Sequence, residues 1–144
     1  MTDPDPYKLL RFVDAQHGMF DQALAELRAG RKQSHWMWFV FPQLAGLGRT
    51  PTAQFYALAS MDEARAYLAH ELLGPRVRHA TEALLPWAGK SSAEEIFGSV
   101  DAMKLRSSLT LFDAAEPGGV FGRALAAFYR GPDERTLALL NEQR

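Results

Sequence analysis

The chain contains no cysteine. Disulfides, thiolate zinc sites, iron–sulfur clusters and cysteine nucleophiles are therefore excluded, and the fold has to rest on its core. Long apolar runs are missing too. Trp36 to Phe41, six residues, is as long as any gets, far short of the ~18 that suggest a membrane span. Neither sign of charge is in excess: sixteen Lys and Arg stand against seventeen Asp and Glu, for a net charge of −1. No basic surplus exists to hold a nucleic-acid backbone. The opening stretch MTDPDPYKLL has acids and prolines where a signal peptide carries positive charge and then apolar residues. We expect a cytoplasmic protein that engages neither nucleic acid nor membrane.

What is present is the composition of one soluble domain: 144 residues, 47% hydrophobic and 23% charged. With no repeat, low-complexity block or linker in view, residues 1–144 read as a single globular domain. Gly and Pro punctuate short segments of helical period. Asp5 before Pro6 reads as an N-cap, with a helix to about Ala15 that carries Leu9, Leu10, Phe12 and Val13 on one broad face. Phe20, Leu24 and Leu27 predict a helix over 19–29, stopped by Gly30. Ser60 and Glu63 form a capping box for a helix through Leu68. Gly74-Pro75 opens the next, which Pro86 ends. Ser91 and Glu94 cap a short helix closed by Gly98. Helices over 101–115, 120–130 and 133–142 complete the chain.

Residues 34–41, SHWMWFVF, are ambiguous. Bulky aromatic and β-branched residues suit a buried strand, whereas Ser34 and Pro42 suit a short capped helix. A lone strand would lack a partner other than 54–58, so helix is favoured. The expected architecture is all-α, seven or eight short helices, with this one strand-like aromatic segment.

Two patches point to chemistry. In 30–50, Trp36 and Trp38 lie among Lys32, His35, Gln43 and Arg49, combining apolar π-surface with donors and an imidazole able to move a proton near neutral pH. In the second, Asp101, Lys104 and Ser108 share one helix face, with Ser107 beside them. Lys32, Arg49 and Lys104 supply charge for a small anionic ligand, a nucleotide-like one being a candidate; Trp36 and Trp38 wall it, and Gln43, Ser107 and Ser108 orient it. His35 as general base, assisted by Asp101, would make the protein a hydrolase or transferase. The alternative is a protein-interaction module that uses the aromatic segment as core or partner surface, with self-association to a homo-oligomer left open. The four histidines include no pair at i, i+4, and His79 with Glu82 lacks a third ligand, so no metal and no cofactor are expected. His70, just past a helix end, reads as a cation complementing the helix dipole.

GRKQSHWMWFVFPQLAGLGRT, followed later by FGSVDAMKLRSSLTLF, resembles the bacterial family known as domain of unknown function 1810. The resemblance runs from about Tyr7 to Arg130, and its distinctive string is S-H-W-M-W-F-x-F-P-Q. Matching positions include Lys32, Ser34, His35, Trp36, Trp38, Pro42, Gln43, Gly46 and Gly48, then Asp101, Lys104, Leu105, Ser107, Ser108 and Phe112. The resemblance implies a small helical domain and supplies no activity. It suggests that the two patches belong to one signature and meet in space. The label calpastatin, often attached to such proteins, fits poorly: an inhibitor of that kind would be long, polar and disordered.

Overall fold

In the computed structural model, which describes residues 4–143, ten α-helices and one turn of 3-10 helix carry the chain. That is two or three more than the seven or eight expected, and the all-α class holds. The elements are α1 Leu10–Gln16, α2 Phe20–Arg28, α3 Met37–Val40, α4 Pro51–Phe55, α5 Met61–Ala69, α6 Leu73–Leu84, a 3-10 turn at Leu85–Trp87, α7 Ala93–Phe97, α8 Ser99–Ala115, α9 Val120–Phe128 and α10 Glu134–Glu142. Among the described residues no helix is long and apolar enough to cross a membrane.

The longest helix, α8, is the axle. It packs against α5, α7, α9 and α10, and residues 107–112 are buried all round, as a helix enclosed by others must be. Edge-to-face and tilted rings link Phe12 to Tyr67 at 5.1 Å, Tyr67 to Phe112 at 5.3 Å and Phe112 to Phe121 at 5.3 Å. These contacts tie α1, α5, α8 and α9 into one core.

Local signals place most boundaries. Gly30 sits just past α2 with φ +74°, and a Cβ there would come within 2.7 Å of the Trp87 ring. Only glycine fits both constraints. Asp5 is not the N-cap of the first helix, which starts at Leu10 behind Leu9; residues 5–9 form a turn, across which the Asp5 carboxylate accepts the N–H groups of Leu9 and Leu10 at 2.8 and 3.0 Å. The capping box falls one residue later than expected, on Ser92 and Glu95. Ser60 accepts the Glu63 N–H, but the Glu63 carboxylate binds the N–H of Ala59 and Arg11, so that box is half made. His70 follows α5 directly, at its C-cap. Its Nδ1 accepts the N–H groups of Leu72 and Leu73 at 3.1 and 3.2 Å, at the start of α6.

Residues 34–41 resolve into a four-residue helix, α3, between irregular segments. Pairing with 54–58 reduces to one isolated parallel bridge, Leu44 with Leu58, outside the aromatic segment. Pro51–Phe55 is helix, capped by the Thr50 hydroxyl.

Candidate functional site

The irregular segment before α3 is held by a buried carboxylate. Glu26, on the core-facing edge of α2, is 5% exposed. One oxygen accepts the N–H groups of Gln33 (2.7 Å) and Ser34 (2.9 Å) and the Trp36 indole N–H (3.0 Å); the other accepts the Ser34 hydroxyl (2.6 Å) and the Gln22 amide (2.8 Å). Burial pushes its pKa up, but the hydrogen bonds from Ser34, Gln22, Gln33 and Trp36 outweigh it and hold the carboxyl at about 2. Two further anchors act on the same stretch. The Gln16 amide and the Tyr67 hydroxyl both donate to the Phe39 carbonyl, at 2.7 and 3.2 Å. Burial pushes the Tyr67 hydroxyl up, so it stays a donor. Lys32, its side chain only 9% exposed, donates to the Ser34 carbonyl at 2.6 Å, lies 5.1 Å from the Trp36 ring and pairs with Asp101 at 2.9 Å.

That last contact joins the two sequence patches. Asp101 also faces Lys104 at 3.6 Å, and Lys104 lies 5.0 Å from the centre of the Trp38 ring. The N-terminal half of α8 and the aromatic segment therefore share one surface.

A cleft of about 420 Å³ opens beside it, between residues 43–48, α8 and the start of α10. Its cations are Lys104, Arg106 and Arg135. Its one carboxylate, Asp133, caps α10 by accepting the N–H and hydroxyl of Thr136. Arg106 donates through Nε to the Gly131 carbonyl at 2.9 Å, leaving its other nitrogens available. Arg135 is exposed and makes no ion pair or hydrogen bond among the described residues. The Gln43 amide is likewise unpartnered, and the Ser107 hydroxyl donates to the Met103 carbonyl while keeping its lone pairs. Leu47, Val100 and Met103 form an apolar rim.

Of the ten residues expected to serve a ligand or catalysis, Gln43, Lys104 and Ser107 line this cleft. Lys32 and Asp101 stand behind Lys104, engaged with each other. Neither expected tryptophan lines this cleft. Trp36 is fully buried and engaged by Glu26, and Trp38 borders only a void of about 10 Å³, room for about one water. Ser108 is sealed in the core with its hydroxyl unpartnered. His35 and Arg49 are exposed side chains outside the lining. Gly46 has φ +101°, and Gly48, which lines the cleft, has no room for a side chain: a Cβ there would lie 2.5 Å from that of Ala53.

Sequence reasoning passed over Arg106 and Arg135. Arg135 carried a signal, because a cation in the first turn of a helix opposes the dipole and invites a reason. A larger cleft of about 760 Å³ lies between the start of α5 and the end of α10, but no signature residue lines it, and its Arg65 and Asp62 pair with each other at 3.6 Å.

The family model described as protein of unknown function (DUF1810) matches residues 6–140. A crystal structure of the conserved hypothetical protein Rv1873 from Mycobacterium tuberculosis is similar with a TM-score of 0.92 and 50% sequence identity, covering 95% of this chain and 99% of that one. No curated protein matches the chain.

Proposed function

The chain belongs to the DUF1810 family of proteins of unknown function, and from that premise we propose that it binds a small anionic molecule in the cleft between residues 43–48, α8 and the start of α10. The observation that supports this reading is the charge of the lining: three cations against one carboxylate, in a chain whose net charge is −1. Concave walls focus such a field and raise the local concentration of anions. The size falls within the range of roughly 300–1,000 Å³ typical of small-molecule sites, and a few polar groups on an apolar rim are what such sites use for orientation. Lys104, Arg106 and Arg135 take the charge; Gln43 and Ser107 orient. Lys32 and Asp101 are positioning residues that hold Lys104 at the edge. A hydrolytic or transfer step through His35 is no part of this reading, because His35 lies outside the lining. We place the binding in the cytoplasm, where charged metabolites are retained.

Arg135→Glu gives a clean test, since Arg135 is exposed and makes no ion pair or hydrogen bond among the described residues. Thermal melts against nucleoside monophosphates, phosphosugars and dicarboxylates should show at least one that raises the wild-type Tm by several degrees. A ligand at a hundred times its Kd adds about 2.7 kcal/mol. The variant should bind that ligand at least about tenfold more weakly, about 1.4 kcal/mol. A panel without a hit, or a variant that responds like wild type, overturns the reading.

One observation favours a second reading, a surface for protein partners or self-association. Val100 and Met103, 64% and 72% exposed, sit one turn apart on the rim, more apolar surface than a helix usually offers water. Sedimentation across a range of concentrations tests the self-association form.

A further inference from the structure

Two cavities meet at one side chain. Lys104 lines both the anion cleft and the void of about 10 Å³ beside Trp38, and Gln43 is the other residue common to the two. Trp38, Tyr56, Phe41 and Met37 bound the rest of that void. The Lys104 side chain thus stands between an open, cationic cleft and an aromatic floor.

It is held there by contacts that an anion can replace. The pair with Asp101 is long, 3.6 Å, and the ammonium rests over Trp38 at 5.0 Å with its side chain 24% exposed. Asp101 does not depend on it, because Lys32 approaches the same carboxylate at 2.9 Å. Lys104 can therefore swing away without stranding a carboxylate. Trp38 is only partly buried, and its indole N–H makes no hydrogen bond among the described residues. A ring face and a donor would both come free.

We infer that Lys104 is a movable partition and that the ligand class is an anion carrying a flat aromatic ring. The anionic group draws the ammonium into the cleft, toward Arg106 and Arg135. The ring then takes the place over Trp38 that the ammonium leaves, trading cation–π contact for stacking. This inference rests on the anion-binding reading above and names the ligand that the site would take.

The test is a calorimetric titration with phenyl phosphate and methyl phosphate, which carry the same charge and differ in the ring. Phenyl phosphate should bind about five- to a hundredfold more tightly, the range that ring stacking on an aromatic side chain supplies. Both should change the tryptophan fluorescence as the ammonium leaves Trp38, and phenyl phosphate by more, because its ring then stacks on the indole. Trp38→Leu should abolish the preference without weakening methyl phosphate binding, since it removes the ring contact that Lys104 must give up; Trp38→Phe, which keeps a ring, should retain part of it. Should Trp38→Leu fail to fold, the wild-type fluorescence difference decides. Equal binding of the two phosphates, or a preference that survives Trp38→Leu, overturns the partition and leaves anion binding standing. Binding of neither overturns both.

Discussion

Glu26→Gln is the sharpest test of how the signature segment is held. In the folded chain the Glu26 carboxyl sits at about 2 against an ordinary value of 4.5. At about 1.4 kcal/mol for each tenfold change in ionisation, that difference is worth about 3 kcal/mol to the fold. Because the folded value is the depressed one, this stability is fully present above pH 4.5, is lost as pH falls toward 2, and about 2 kcal/mol of it is gone by pH 3. Glutamine keeps the shape and one acceptor oxygen. It loses the charge that strengthens five hydrogen bonds and sets an NH₂ group against the Gln22 amide and the Ser34 hydroxyl. Urea unfolding followed by circular dichroism should find the variant about 3 kcal/mol less stable than wild type at neutral pH. The gap should narrow steadily as the buffer is taken below pH 4.5. A gap below about 1 kcal/mol at neutral pH, or one that persists undiminished at pH 3, would refute the idea that an ionised Glu26 holds the segment.

Two other substitutions probe the same region without a ligand. Ser108→Ala removes a buried hydroxyl that has no partner and places a better helix former inside α8, so melting should show a gain of about 1 kcal/mol; a loss of that size would mean that the hydroxyl is hydrogen-bonded in solution. Gly30→Ala puts a Cβ 2.7 Å from the Trp87 ring at φ +74°, and denaturation should show a loss of about 2 kcal/mol, whereas a neutral result would place Trp87 away from α2.

Most of the helices were legible because their signals are local. The period of Phe20, Leu24 and Leu27, with Gly30 behind them, gave α2 to within a residue. Ser91 and Ser92 each have a glutamate three residues on, and local chemistry cannot choose between them. The structure takes Ser92, which puts Ile96 and Phe97 in the core. The helix α4 was announced by Thr50 before Pro51, a cap followed by proline in the first turn, but the aromatic content of 54–58 suggested a strand instead. The meeting of the two patches was legible only through the family signature, since nothing local ties Lys32 to a residue 69 positions later. Glu26 had a signal that went unread: a carboxylate three residues after Ala23, on the edge of an otherwise apolar stripe, calls for donors from elsewhere.

The division of roles within the signature follows from one weakness. A four-residue helix cannot stand on its own hydrogen bonds, so α3 exists only because its flanks are pinned. Glu26 pins residues 33–36, Gln16 and Tyr67 pin Phe39, and Lys32 ties the same loop to α8. Trp36 and Phe41 turn inward against Phe97, at 6.2 and 6.3 Å, and close the core beneath. On a regular helix Trp36 and Phe41, five residues apart, would point about 140° away from each other and could not both reach Phe97. The irregular path instead leaves Trp38 and Gln43 at the surface, on a rigid base, beside a lysine held by one long ion pair and one ring. Rigidity behind that surface and looseness in Lys104 are what a site needs if a ligand is to move one side chain and nothing else.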